Sequence, residues 1–264
     1  MGVDRVRLVV ACGLVLGLLL PVHGAPGPSS PQPSHRLIDV KGVVASLSRD
    51  GQTLTLRQDG GGTAIFRLVE GTLLQIAGGI RGLIPGMRVH LWAVAAGTGL
   101  PVVLRILPIA GIAPSRASSE AGAFQGIVLS QAGSTVTVLG ENNAVFTVLI
   151  TGTTEIAGAA PLARSAIVEV QGSLNSDGSV SARSIAVLFD PRRGTRVAGR
   201  ITLLWPDVGF VLSDGTVVAM SEETWVLRGS ALRPTGALAP GLSVTVFGAG
   251  KLPFVAARVV EISL

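Results

Sequence analysis

Apolar and polar residues alternate along most of this chain with the two-residue period of a half-buried strand. In QTLTLRQ (Gln52 to Gln58), Leu54 and Leu56 fall on one side while Thr53, Thr55 and Arg57 fall on the other. STVTVLG (Ser134 to Gly140) repeats this with Val136 and Val138, and TAIFRLV and AVFTVLI follow as hairpin partners. Turn dipeptides punctuate the strands: Asp50-Gly51, Asp59-Gly60, Asn142-Asn143, Asp177-Gly178 and Asp214-Gly215. The helical period of 3.6 is confined to one-turn pieces, LARSA and GSALRP, each ahead of a valine-rich strand. The pattern predicts an all-β chain.

The same grammar is spelled three times. Each unit opens on a strand around a glycine (Gly42, Gly126, Gly199), then passes a threonine before an apolar segment (Thr72, Thr154, Thr224). Gly86, Ser165 and Gly241 open a valine strand, and seven positions later come Ala93, Gly172 and Gly248. The last strand carries one arginine, at Arg105, Arg183 or Arg258, read as an architectural cap on a sheet edge. A unit of about 70 residues with five to six short strands hides its sheet edges best by closing on itself. The expected architecture is therefore three tandem small OB-like β-barrels: residues 38–110, 122–188 and 195–264, with linkers at 111–121 and 189–194.

Ahead of the repeats, Arg5 and Arg7 precede the apolar run Leu8 to Leu20, Pro21 and the small residues of VHGA. That is the order of an export signal, predicted at 1–25, followed by a Pro/Ser-rich spacer at 26–37. The run falls short of the roughly 20 residues of a membrane span. Cys12, the only cysteine, lies inside it, four apolar residues after Arg7, too close for a lipidation box. Removing the signal removes every thiol, so disulfides and thiolate metal sites are not expected in the mature chain. An exported bacterial protein is expected, periplasmic, cell-surface or secreted, with no transmembrane span once processed.

Composition sharpens the picture. Charged residues make up 14% and hydrophobic ones 48%, with 35 glycines and no tyrosine, where about 25% charged is usual. A surface this weakly charged suits self-association or a partner. Losing Asp4, Arg5 and Arg7 takes the formal net charge from +5 to +4, too diffuse for nucleic acid, which also needs stacking aromatics among its basic residues.

The order of glycine strand, threonine, Pro-Gly loop, V-x-V-x-G strand and A-R-x-[IV] strand resembles the bacterial family known as domain of unknown function 5666. The third unit carries it most fully, with Thr224, Pro240-Gly241, VTVFG and AARVV; the second lacks the Pro-Gly, and the first has LWAV at the glycine. The resemblance implies small, mostly β, often tandem modules of exported proteins. It brings no catalytic residues.

Nor does the chain spell an active site. Only His90 is available for catalysis or a metal, since His35 lies in the spacer; Glu222-Glu223 are strand neighbours pointing apart, and QDGGGT is a hairpin tip without the lysine and helix of a phosphate loop. No enzyme, metal or cofactor is expected. Candidate binding residues are Arg88, His90 and Trp92, outward on one strand; Trp205 and Trp225 in the third unit; and Arg192, Arg193, Arg196 and Arg200 around the second linker. Against them stands a packing role for the tryptophans and a solvated linker, keeping two barrels apart, for the arginines. The leading expectation is a non-enzymatic binding or scaffold module, its partner an envelope protein or an anionic or glycan polymer. The alternative is a carbohydrate or anionic-ligand receptor with its site in the third unit.

Overall fold

The computed structural model describes residues 35–263, apart from 77, 110–121, 142 and 159. The predicted signal, nearly all of the spacer and the first linker lie outside the described residues. Among those described there are nineteen strands and two 3-10 turns. Neither turn falls on a predicted helical piece: Thr235–Ala237 directly follows GSALRP, and Gly79–Gly82 lies in the first unit, far along the sequence from LARSA. LARSA is a turn, and GSALRP contains a strand, because Gly229 at φ 65° reverses the chain into it.

Unit 1 comprises β1 (Arg36–Leu47), β2 (Thr53–Gln58), β3 (Thr63–Arg67), β4 (Leu73–Leu74), β5 (Arg88–Ala95) and β6 (Val102–Pro108). Unit 2 repeats this as β7 (Ala123–Ala132), β8 (Thr135–Gly140), β9 (Val145–Leu149), β10 (Glu155–Ala157), β11 (Ile167–Leu174) and β12 (Val180–Phe189). Unit 3 has seven strands: β13 (Thr195–Trp205), β14 (Gly209–Leu212), β15 (Val217–Ala219), β16 (Trp225–Arg228), β17 (Ala231–Arg233), β18 (Ser243–Lys251) and β19 (Phe254–Ile262). Each unit forms its own sheet. In unit 1 the order is β3-β2-β1-β5-β6-β4, with a further parallel pairing of β3 to β6 through Arg67 and Val102. Parallel pairings of β9 to β12 and of β15 to β19 do the same in units 2 and 3. Each sheet thus meets itself in a ring of pairings around its own apolar core, which contains Leu54, Leu56, Val89 and Leu91 in unit 1, Val136, Val138, Val168 and Val170 in unit 2, and Val244 and Val246 in unit 3.

Three devices recur at the predicted anchors. The opening strand bulges two residues after its glycine in every unit, between Val44 and Ser46, Val128 and Ser130, and Ile201 and Leu203. A Cβ on Gly42 would lie 2.3 Å from the Arg57 carbonyl oxygen, so the neighbouring strand passes too close for any side chain. The threonines are tethers: Thr72, Thr154 and Thr224 each accept the backbone N–H three residues earlier and donate to a carbonyl of the last strand, at Val103, Ala182 and Ala257. Gly86, Ser165 and Gly241 all sit at positive φ, where each donates its N–H back to the opening strand.

These tethers give the structural alignment of the units, and it corrects the arginines. Leu104, not Arg105, follows the tether carbonyl in unit 1 as Arg183 and Arg258 do in units 2 and 3. All three occupy the bulge of the last strand. A bulge puts one extra residue on its strand and reverses which side the next one faces, so Arg105 is displaced to the position of Ser184 and Val259.

Two apolar seams join the units. Leu37, Leu73, Trp92, Val94 and Leu104 of unit 1 pack with Trp205, Val208, Val211, Val217, Ala219 and Phe254 of unit 3. Ile127, Leu129, Leu139, Ile167 and Phe189 of unit 2 pack with Trp225, Leu227, Leu232, Phe247 and Val259 of unit 3. No apolar cluster of the described residues joins units 1 and 2 directly. The spatial order is therefore 1–3–2, and the second linker does not hold units 2 and 3 apart.

Candidate functional site

Both seams use the same face of a unit, formed by β4 to β6 in unit 1 and by β16 to β19 in unit 3. In unit 1 that face presents Leu73 and Trp92, and in unit 3 the equivalent Trp225 and Phe247. Each docks onto the first-hairpin side of a neighbour, though on different parts of it. In unit 2 the equivalent positions are Glu155 for Trp225, Ala157 for Leu227, Gln171 for Phe247 and Ser184 for Val259, aligned through the strand pairings Glu155–Ser184 and Trp225–Val259. Polar and small residues have replaced the docking set, and no apolar cluster of the described residues covers this face.

Beside it, sharing Gln171, opens a cleft of about 590 Å³ lined by Gly122, Thr151, Thr153, Ser173, Ser181 and Arg183, among others. Arg183 donates Nη2–H to Gln171 Oε1 at 3.1 Å. Gln171 Nε2 reaches Glu169 Oε1 at 3.4 Å, and Ser184 Oγ donates to Gln171 Oε1 at 3.3 Å. Thr151 and Thr153 hydroxyls lie 3.0 Å apart on the rim. A guanidinium, a carboxamide and several hydroxyls therefore converge without a carboxylate on the arginine. The strand pattern carried no signal for this cleft, because its residues look like ordinary outward positions until unit 2 is compared with unit 3.

A second cleft, of about 410 Å³, lies where all three units meet, between Glu70, Phe189, Asp190, Arg193 and Gly248. Lys251 Nζ bridges to Glu70 at 3.2 Å nearby.

The residues expected to bind are dispersed. His90 Nε2 is 2.6 Å from Asp39 Oδ1, the Trp92 indole N–H donates to Asp39 Oδ2 at 3.1 Å, and the two rings lie 3.7 Å apart. Arg88 pairs with Asp59 at 2.6 Å. This strand is satisfied within unit 1, and Trp92 is also part of the first seam. Trp205 belongs to that seam and Trp225 to the second, so they are no pair for a sugar to stack on, and both are packing residues. The linker arginines do not form one patch. Arg192 makes a two-point contact with Asp190 at 2.9 Å on each oxygen, Arg193 approaches the same carboxylate at 3.9 Å, and Arg196 lies over the Phe247 ring at 5.8 Å. Arg200 is exposed, and its backbone N–H faces Ser213 Oγ.

Arg192's side-chain hydrogen bonds hold the Asp190 carboxyl below its ordinary 3.8 and raise the guanidinium's own pKa. Asp50 and Asp177 are lowered in the same way by Ser48 and Ser179 at exposed turns. Arg105 is the one buried cation of the first seam: it donates to Gln75 at 3.0 Å, lies over Trp92 and reaches Glu222 of unit 3 at 3.7 Å. Among the described residues no three His, Asp, Glu or Cys side chains gather as a metal site, and no helix is long and apolar enough to cross a membrane.

Residues 125–186, the body of unit 2, match the family model for the domain of unknown function DUF5666. The match falls on unit 2, the unit that carries the open cleft, rather than on unit 3, whose sequence spells the motifs most fully, and it spans less than a quarter of the chain. No curated protein matches the chain. Among solved structures it is similar to silver-bound CusF residues 10–88 from Escherichia coli, at 20% identity over 30% of this chain and 98% of that one, with a TM-score of 0.25. It is also similar to a multidomain protein with nucleic acid binding domains from Streptococcus pneumoniae, at 11% identity over 86% and 72%, TM-score 0.19. A third is Drosophila Unr CSD456, at 13% identity over 81% and 91%, TM-score 0.21. Scores at this level carry neither ligand nor activity across.

Proposed function

We propose that this chain is an exported, non-enzymatic binding and scaffold module of the bacterial cell envelope, built from three OB-like barrels. The barrel reading rests on the ring of pairings, which runs β1-β2-β3-β6-β5 and back to β1 in unit 1, β7-β8-β9-β12-β11 and back to β7 in unit 2, and β13-β14-β15-β19-β18 and back to β13 in unit 3, with the third strand parallel to the last. The observation that carries the function is the repeated docking face. Units 1 and 3 each spend theirs on a neighbouring unit, and unit 2 presents its own as a polar surface with a cleft at its side. A surface on a unit anchored by its opposite side to unit 3, and not used inside the chain, is the natural place for a partner.

The test is capture from a native envelope fraction at low and high salt, with the wild-type protein and with Glu155→Arg/Ser184→Arg. A discrete component retained by the wild type and lost by the variant supports the reading. Recovery of the same components by both proteins refutes it, as does an export assay that finds the protein in the cytoplasm. Against the alternative with the site in unit 3 stands the packing of Trp205 and Trp225 in the seams.

A further inference from the structure

Unit 3 contains a template for what the unit 2 cleft binds. Arg258, at the bulge of the last strand, pairs with Glu223 at 2.7 Å, and Glu223 is the residue immediately before the tether Thr224. Unit 2 has the same arginine at the same bulge, Arg183, but the residue before its tether Thr154 is Thr153. One guanidinium therefore has a built-in carboxylate and its counterpart has a hydroxyl and a cleft. Arg183 makes no ion pair among the described residues; its side-chain hydrogen bond goes to the neutral Gln171. The nearest acid on its strand pair, Glu169, faces the Gln171 amide rather than Arg183.

We infer that the cleft of unit 2 takes a carboxylate from outside the chain, placed against Arg183 as Glu223 is placed against Arg258, and that its ligand is an acidic sugar. The inference rests on unit 2 being the binding unit. A charge-assisted pair with arginine supplies orientation as well as attraction. Thr151, Thr153, Ser173 and Ser181 ring the cleft with hydroxyls, which suits a ligand that both donates and accepts many hydrogen bonds. Ala123 and Ala182 add a small apolar ground for the C–H face of a ring. The volume, about 590 Å³, is within the range of small-ligand sites and accommodates a sugar ring or two. An acidic peptide would satisfy Arg183 but bring fewer hydroxyls to a rim on which Thr151 and Thr153 bond to each other and Ser181 to Asn175.

The experiment is calorimetric titration of the purified protein with trigalacturonate, with its methyl ester and with a triglutamate peptide. Trigalacturonate is expected to bind at least about tenfold more tightly than the ester, the loss of one charged hydrogen bond. Thr153→Glu, which supplies unit 2 with the carboxylate that unit 3 has, and Arg183→Gln are each expected to weaken it by about tenfold or more. Arg258→Gln is expected to leave it unchanged. Equal binding of acid and ester, indifference to Thr153→Glu, preference for triglutamate, or no heat at about 10 mM ligand would each overturn the inference. Envelope capture that still depends on Glu155 and Ser184 would then leave the scaffold reading standing.

Discussion

The threonine tether occurs three times with one geometry and three degrees of burial, and so makes a graded test of how these units are held closed. Thr224 is 8% exposed; its Oγ1 accepts the Ser221 N–H at 3.0 Å and donates to the Ala257 carbonyl at 2.9 Å. Thr224→Val keeps the shape and removes both bonds, stranding a buried donor and a buried acceptor. Each stranded group costs about 1–3 kcal/mol, and the added methyl returns about 0.8 kcal/mol. A net loss of about 3 kcal/mol is expected, or about 6–12 °C in Tm for a chain of this size. Thr154→Val removes the same pair of bonds where Thr151 is exposed and water can replace them. Its expected cost is about 1 kcal/mol, or about 2–4 °C. Thr72→Val should fall between. Thermal scans of the three variants at one pH decide the matter. Equal losses, or the largest loss at Thr154, would mean that burial does not set the value of the tether.

Replacing Glu155, Gln171 and Ser184 by the Trp, Phe and Val of unit 3 should turn the open face into a docking face, and light scattering should then show oligomers where the wild type is smaller. Ser165 holds a positive φ of 64° while its hydroxyl donates to Glu261 of unit 3. Ser165→Gly should relieve the first and forfeit the second, leaving stability within about 1 kcal/mol, whereas Ser165→Ala keeps the strain without the bond and should lose more in denaturant titration. Asp190 is depressed below 3.8 by Arg192, so its stabilisation is fully present above the unfolded value and is lost as pH falls through the folded one. Acid unfolding of Asp190→Asn should accordingly be shallower than wild type below about pH 4.

Much of the fold is legible in the alternation, because a strand buried on one face must repeat every two residues. Val89 and Leu91 are fully buried as their period requires, and Arg88, His90 and Trp92 share the outer face. Anchors that do local work, such as Gly42 against the Arg57 carbonyl and Thr224 against that of Ala257, also show in the sequence. Two things do not. A bulge changes which way a side chain faces without changing its residue type, so Arg105 lines up with Arg183 and Arg258 on paper and sits in a different place. An outward apolar residue also reads the same whether water or another unit covers it. Stacking and packing are therefore both open for Trp205 and Trp225 in the sequence, and the structure has them in the seams. The cleft is hidden for a related reason: its chemistry lies in Thr153 standing where unit 3 has Glu223.

The seams join units in the order 1–3–2 along a chain written 1–2–3. During synthesis, units 1 and 2 emerge before the unit that both of them need. Leu73, Trp92 and Leu104 on one, and Ile127, Leu139 and Ile167 on the other, wait uncovered until unit 3 has folded between them. Assembly is completed from the middle outward, by a late arrival. A chain cut short after residue 194 would display both apolar surfaces at once, a signature that proteases and chaperones recognise, so the arrangement lets the cell tell a finished molecule from a fragment.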